Sequence, residues 1–200
     1  MNVDLVEASV DQATERILDA ATAEFARRGV RRTTMNQIAN AAGLGVATVY
    51  RRFPQKDQLI RAVILREADV VTAAVVAELE RPTTVAEQSA GAFAAFAHAI
   101  SGRPLLVRLM RRAASDDAVP GDLVDQLMTQ ARSRVADWIR ELQADGRYLD
   151  ADPDVVAELE ARLAVSLVLV PEGFIPMHDD AATRAFATKY LVPLLGLEHR

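Results

Sequence analysis

Seven basic side chains and no acidic one lie between residues 25 and 56, in a chain whose formal net charge is −5. They are Arg27, Arg28, Arg31, Arg32, Arg51, Arg52 and Lys56. This segment contributes +7, so the rest of the chain carries −12. Positive charge concentrated in one part of an acidic protein is typical of a surface that binds phosphate groups, although a solvated arginine-rich surface without a partner has the same composition.

The residues between these charges predict two short helices joined by a tight turn. Thr34 and Gln37 have the spacing of a capping box, in which each side chain accepts a hydrogen bond from the other residue's backbone N–H, so a helix begins here. Gly43 supplies the left-handed conformation that ends it. A second helix of about two turns follows over residues 46–53. Residues 34–53 therefore predict a helix-turn-helix.

The second of these helices begins with small residues, so no bulky side chain obstructs its entry into the major groove of DNA. The candidate base-contacting residues are Ala47, Thr48 and Arg51 or Arg52, since arginine pairs bidentately with guanine. Short donors, a phenol and an ammonium group are suited to phosphate, and they are Thr33, Thr34, Thr48, Tyr50 and Lys56. For Tyr50, packing of the ring under the turn is the alternative.

Residues 33–56 read Thr-Thr-Met-x-x-Ile-Ala-x-x-Ala-Gly-Leu-Gly-x-Ala-Thr-Val-Tyr-x-x-Phe-Pro-x-Lys. This segment resembles the DNA-binding segment of the TetR family of transcriptional regulators, and the resemblance covers about residues 12–65. It implies a DNA-binding domain over residues 11–56 and an effector-binding and dimerisation domain over residues 57–200. An aromatic residue is frequent in the family where this chain has Arg52, so the resemblance does not predict the operator sequence.

Helix-forming segments follow one another along the rest of the chain, and the sequence has no alternating strand pattern, internal repeat or low-complexity tract. Capping residues, prolines and glycines predict the boundaries. The predicted helices run from Ser9, as a cap, to Gly29, then over about residues 55–80, 84–102, 104–114, 122–145, 153–170 and 180–195, with a loop at 115–121 and Asp180 capping the last. The fold class predicted is all-α, with a three-helix N-terminal domain and a larger C-terminal helical domain.

Composition excludes several classes of protein. The chain has no cysteine, so disulfides and thiolate metal sites are absent. Its apolar runs are far shorter than the ~20 residues that span a bilayer, and no secretion signal is recognisable. We therefore expect a cytoplasmic protein that does not contact a membrane.

The helix predicted at 153–170 changes character along its length. Its first half places acidic and basic residues on polar faces, namely Asp154, Glu158, Glu160 and Arg162, whereas residues 163–170 are apolar around the whole circumference. Such a segment is buried on all sides, either in the core or in a two-fold interface where this helix and 122–145 form a four-helix bundle with their symmetry mates. The family resemblance favours the interface. The candidate residues of the dimer interface are Leu127, Val135, Leu163, Leu167 and Val170.

A homodimer would place two recognition helices about 34–36 Å apart, which predicts an operator with an inverted repeat.

The C-terminal helices also carry aromatic and flexible apolar side chains with a few polar groups, as small-molecule pockets do, although ordinary helical core has the same composition. The candidate pocket residues are Phe93, Phe96, His98, Leu106, Met110, Trp138 and Phe174. The resemblance implies a repressor that a small apolar or amphipathic effector releases from double-stranded DNA.

The sequence lacks most of the residues that enzymatic catalysis and metal binding commonly use. The chain has three histidines, no two of them four residues apart, and no cysteine. The run Met177-His178-Asp179-Asp180 suggests a metal site only weakly and is more typical of a loop. We predict no catalytic residue, no metal and no cofactor. The alternative function is a helical protein-interaction module without sequence-specific DNA binding.

Overall fold

The computed structural model describes residues 3–113, 122–147, 152–170, 172–194 and 196, and these ranges contain helices, turns and loops but no strand. The all-α prediction is therefore confirmed. The helices are α1 (Val3–Arg28), α2 (Met35–Ala42), α3 (Val46–Arg52), α4 (Lys56–Leu79), α5 (Val85–Ser101), α6 (Pro104–Ala113), α7 (Asp122–Ala144), α8 (Pro153–Leu169), α9 (Asp180–Phe186) and, after a π-helical turn at Ala187–Leu191, α10 (Val192–Leu194).

Most predicted boundaries agree with these helices, and two caps do not. Ser9 lies inside α1, because nothing before it breaks the helix and the helix already begins at Val3. Asp179, not Asp180, caps α9, since its carboxylate accepts a hydrogen bond from the N–H of Ala182 at 2.9 Å. The predicted loop at 115–121 lies outside the described residues.

Among the described residues, the chain forms two compact units: residues 3–66 with 112–113, and residues 67–111 with those from 122 onward. The first unit contains α1, α2, α3 and the first part of α4. Its core consists largely of fully buried apolar side chains, among them Ile17, Ala21, Phe25, Ile38, Val49, Leu59, Ile60, Val63 and Ile64. Arg66 also joins α4 to α1, because its guanidinium donates to Asp19 at 2.8 Å and to Glu15 at 3.2 Å. This unit thus extends beyond residue 56, the domain limit that the sequence predicted.

The second unit contains the rest of α4, the helices α5 and α7 to α10, and α6 up to Arg111. Its core has contributions from α5, α7, α8 and the last helical segments, through Val85, Ala90, Ile139, Leu142, Val156, Ala187, Leu191 and Val192. Arg132 on α7 pairs with Glu158 on α8 at 2.6 Å. No single helix within the described ranges combines the length and apolar composition of a membrane span; α5 and α6 do so only together, across an 88° bend.

A partly buried ion pair joins α4 to α9 in the second unit. The Arg184 guanidinium donates to both carboxylate oxygens of Glu78, at 2.8 and 3.1 Å. These hydrogen bonds lower the pKa of Glu78 to about 2, so the pair stays ionised at neutral pH. Gly91 on α5 leaves room for it, since a Cβ atom there would lie 2.6 Å from Arg184 Nη1 and closer still to Glu78 Oε2.

We expect Gly91→Ala to lower the free energy of unfolding by about 1–2 kcal/mol, because the added methyl group displaces the paired ends of Glu78 and Arg184. In an ordinary helix the same change stabilises by about 0.5–1 kcal/mol. Urea denaturation followed by circular dichroism measures the difference. In the background Glu78→Ala/Arg184→Ala, where that space is empty, Gly91→Ala should instead be stabilising. A stabilising effect in the wild-type background would contradict this account.

Candidate nucleic-acid interface and internal cavity

The helix-turn-helix has the local geometry that the sequence predicts. The N–H of Gln37 donates to Thr34 Oγ1 at 3.3 Å, and the N–H of Thr34 donates to Gln37 Oε1 at 3.0 Å, which completes the capping box. Gly43 ends α2 in the left-handed region, with φ of +62°. Gly45 precedes α3 in an extended conformation and offers no side-chain cap. The orientation of α3 therefore depends on the turn and on packing.

Arg16 on α1 holds this turn, although the sequence analysis did not identify it. Its Nη2 group donates to the carbonyl of Ala42 at 2.6 Å and to that of Gly43 at 3.2 Å. A cation at the carbonyl end of a helix pairs with otherwise unbonded acceptors and with the helix dipole. No local pattern predicts the contact, because 26 residues separate Arg16 from Ala42.

One face of α3 is exposed and the opposite face enters the core. Val49 is completely buried, whereas Ala47, Tyr50 and Arg51 are exposed and Thr48 is half-buried. Val46 is also exposed on this face, one turn before Tyr50, and the sequence analysis missed it. Its methyl groups are of the kind that contact the methyl group of thymine. The exposed side of α3 thus has small apolar groups near its start and an arginine near its end.

Three predicted DNA-binding side chains make contacts inside the first unit. Thr33 is buried, and its hydroxyl donates to the carbonyl of Gly29 at 2.9 Å, so the prediction that it binds phosphate is corrected to a structural role. Arg52 donates to Thr14 Oγ1 at 3.2 Å. Lys56 Nζ donates to the carbonyl of Val30 at 2.5 Å, and burial lowers the pKa of this ammonium group. By contrast, Thr34 is exposed.

The basic cluster is partly neutralised within the chain. Glu24, just before the cluster, pairs with Arg27 at 2.6 Å and with Arg28 at 2.7 Å. The hydrogen bond from Arg27, more than that from Arg28, holds the pKa of Glu24 below its usual range. Arg31 and Arg32, in the turn after α1, are exposed. The positive charge that faces solvent is therefore smaller than the sequence suggests and lies at the turn after α1 and at the end of α3.

A cavity of about 240 Å³ lies within the second unit, and its wall is mainly apolar. The lining residues come from α4 through α8 and from Leu191 after α9. Five of the predicted pocket residues line it, namely Phe93, Phe96, Leu106, Met110 and Trp138. The other two do not: His98 lies on the exposed face of α5, and Phe174 is completely exposed in the segment after α8. Those two residues are removed from the candidate pocket.

Two charged residues contribute to the cavity wall, Glu160 on α8 and Arg134 on α7. Glu160 was predicted to lie on a polar face, yet burial of its carboxyl group raises its pKa to about 7. Among the residues that the structure describes, Glu160 has no hydrogen-bond or ion-pair partner. Arg134 is exposed as a residue. The cavity therefore combines a large apolar surface with an unpaired acidic group.

The residues predicted for the dimer interface occupy different environments. Leu127, Val135 and Leu163 line the cavity. Leu167 is only 6% exposed, whereas Val170 is 62% exposed. Exposed apolar side chains on and just beyond α8 are Val155 at 54%, Leu159 at 53%, Leu169 at 39% and Val170. Helical geometry places Val155, Leu159 and Leu169 within an arc of about 80°, which Arg162 and Ser166 share, and Val170 follows as the non-helical C-cap. We call the four exposed apolar side chains the α8 stripe.

Within the described ranges, no group of three or more histidine, aspartate or glutamate side chains is arranged to hold a metal ion. The run at 177–180 has other contacts instead. Asp179 caps α9, and Asp180 pairs with Arg184 at 2.8 Å.

Residues 17–63 match the family model of bacterial regulatory proteins of the tetR family. The chain is 29% identical to the HTH-type transcriptional repressor KstR2 of Mycolicibacterium smegmatis, over 91% of this chain and 88% of that protein. It is 25% identical to the HTH-type transcriptional regulator UidR of Escherichia coli, over 92% of each. A solved bacterial regulatory protein in the tetR family from Rhodococcus RHA1 shares the fold with a TM-score of 0.65 at 18% identity, over 94% of this chain and 98% of its own.

We expect Arg16→Met to lower the free energy of unfolding of the first unit by about 1–3 kcal/mol, because it removes a charged donor from the end of α2. Chemical denaturation measures this loss. Arg27→Met is the matched control: it removes an exposed arginine of the same helix but leaves Arg28 on Glu24, so its cost should stay below about 1 kcal/mol. Equal losses in the two variants would show that Arg16 has no special role at the turn.

Proposed function

We propose that this chain, which belongs to the TetR family of transcriptional regulators, is a homodimeric repressor that leaves its operator when a small apolar or amphipathic effector fills the cavity. Members of this family are DNA-binding regulators, usually dimeric repressors. The observation that carries the proposal is the exposed face of α3 beside the solvent-facing arginines of the first unit. Repression is also consistent with the name of the relative KstR2.

In the proposed complex, α3 lies in the major groove of DNA and its exposed face contacts base edges. Arg51 is positioned near the end of that face, where its guanidinium can pair with the O6 and N7 atoms of a guanine. Val46, Ala47 and Thr48 make the shorter contacts near the start of the helix. Because the Arg52 side chain binds Thr14, we assign base reading to Arg51 and a positioning role to Arg52.

Phosphate contacts in this proposal come from groups around the recognition helix. Thr34 is exposed and its hydroxyl hydrogen is free to donate while the oxygen accepts from Gln37. Tyr50 presents about half of its surface to solvent. Lys56 has donors beyond the one that binds Val30, near the start of α4, where backbone N–H groups also favour an anion. These contacts would set the register on DNA without reading sequence.

The α8 stripe is the proposed dimer interface. It carries four exposed apolar side chains along α8, with Arg162 and Ser166 exposed among them, and a second copy of the same stripe related by a two-fold axis would cover it. Of the residues that the sequence predicted for this role, we retain Val170 and add Val155, Leu159 and Leu169. A dimer would present two copies of α3 to one face of the duplex, about 34–36 Å apart, and so read an inverted repeat.

Effector binding and DNA binding would be coupled through α4. This helix is continuous from Lys56 to Leu79; its first turns belong to the core of the first unit, and six of its residues between 68 and 79 line the cavity. An effector that binds one arrangement of α4 better shifts the population away from the arrangement that DNA selects. A discrimination of ~2–3 kcal/mol would weaken operator binding by roughly 30- to 150-fold.

We expect selection from a pool of genomic fragments to enrich an inverted repeat, and Arg51→Ala to weaken binding to it by about 1–3 kcal/mol while relaxing preference at one base pair per half-site. Fluorescence anisotropy on the enriched site and on single-base variants measures both effects. Arg140→Ala is the control, since Arg140 is an exposed arginine of the second unit that pairs with Asp137 and Asp154 on the surface. It should leave the affinity unchanged.

The same assay at several salt concentrations tests the phosphate contacts. Log affinity should fall with log salt with a slope of several units, and Lys56→Gln should weaken all sequences alike and reduce that slope by about one. If no fragment is enriched and binding is absent at low salt, the proposal fails, and a protein-interaction module becomes the better account.

We expect Leu159→Glu to convert the protein to a monomer, because the dyad would bring two buried carboxylates close together in an apolar interface. Sedimentation velocity over a range of protein concentrations measures the assembly state. Phe174→Glu changes an exposed apolar residue outside the α8 stripe and should leave the dimer intact. A Leu159→Glu protein that dimerises as tightly as the wild type would place the interface elsewhere.

A further inference from the structure

The cavity wall has an uneven distribution of charge. The lining residues from α4, α5 and α6 are all uncharged within the described ranges, with Thr72 and Ser89 as the polar ones. Arg134 on α7 and Glu160 on α8 are the charged residues of the lining, and no ion pair joins them in the described structure. Glu158, two residues from Glu160, is already paired with Arg132 and Arg162 and does not line the cavity.

We propose that the cavity binds an amphipathic cation, whose apolar body fills the space between α4 and α8 and whose cationic nitrogen pairs with the carboxylate of Glu160. The inference rests on the proposed function only in taking the cavity as the effector site. It adds the chemical class of the effector, which the apolar lining alone leaves open.

The reason for choosing a cation is the difference between the two charged lining residues. Arg134 is exposed, so water already solvates its guanidinium. An anionic ligand that pairs with it therefore gains less binding free energy. Glu160 is half-buried as a residue, burial raises the pKa of its carboxyl group, and that group has no partner within the described chain. An unpaired carboxylate in apolar surroundings is costly. A bound cation removes that cost. A neutral hydroxyl group supplies one hydrogen bond and no charge.

Titration of Glu160 should make the affinity for a cation depend on pH. Burial raises the pKa of this carboxyl group to about 7, so it is mostly protonated at pH 6 and mostly ionised at pH 8. The cation binds the ionised form, so its affinity should rise roughly tenfold over this interval, as the ionised fraction does. The lining residues of α4, α5 and α6 in the described structure carry no titratable side chain.

Probes of one shape and different charge separate the possibilities. A volume of about 240 Å³ corresponds to roughly eight water molecules, which is suited to a short alkyl chain with one polar end. Octylamine, octanol and octanoate share such a chain and carry a positive, zero and negative charge at neutral pH. Isothermal titration calorimetry of each with the full chain, at pH 6 and pH 8 and without DNA, measures the preference directly.

We expect octylamine to bind at least about tenfold more tightly than octanol at pH 8, and this advantage to fall as the pH is lowered to 6. Glu160→Gln should abolish both the advantage and the pH dependence while octanol affinity stays unchanged. Arg134→Gln is the matched control at the other charged residue and should preserve the preference for the amine. Tighter binding of octanoate than octylamine, or an octylamine preference that survives Glu160→Gln, would overturn the inference.

Proton release provides a readout that needs no variant. Since a group with a pKa of about 7 is half ionised at pH 7, octylamine binding at that pH should release about half a proton, measurable from titrations in buffers of different ionisation enthalpy. Absence of release would count against Glu160 as the partner. Operator binding is assayed separately: loss of DNA binding defeats the proposed function, whereas normal DNA binding without a preference for the amine defeats only this inference.

Discussion

Arg16 and Gly43 meet at the end of α2, and the geometry of the helix-turn-helix depends on that contact. Gly43 is required there for two reasons: its φ of +62° disfavours a side chain, and a Cβ atom would lie 3.0 Å from Arg16 Nη2. The arginine in turn occupies carbonyl groups that have no helical partner. Since α3 is short and has no side-chain cap, its direction is set by this turn and by burial of Val49.

Sequence reasoning succeeded where the determinant is local. The capping box at Thr34 and the predicted helix starts near residues 84 and 153 each depend on residues within one turn, so local spacing alone predicts them. The prediction that Ser9 caps the first helix was wrong because the spacing of a capping box also occurs by chance inside a longer helix. Five pocket residues were identified from side-chain type, whereas His98 and Phe174 required knowledge of which helix faces turn inward.

Charged residues were harder to interpret, because a charge can serve the fold or a ligand. Arg27 and Arg28 bind Glu24, Arg52 binds Thr14 and Lys56 binds Val30, so several members of the basic cluster have partners in the chain. Glu160 shows the converse: periodicity assigned it to a polar face, yet it turns into an apolar cavity. The Glu24 pairs lie within α1 at the i,i+3 and i,i+4 spacing of a helix. The contacts of Arg52, Lys56 and Glu160 instead join different structural elements, so no single-helix pattern contains them.

On α3, the residues that pack into the core differ from those that face solvent, and this separation has an evolutionary consequence. Val49, which packs into the core, and Val46, Ala47 and Arg51, which face solvent, are different residues of the same short helix. Exposed substitutions far from buried contacts usually change stability by less than about 0.5 kcal/mol. After gene duplication, two copies of this protein could therefore diverge in the DNA sequence they recognise through a few mutations at those exposed positions, with little cost to folding.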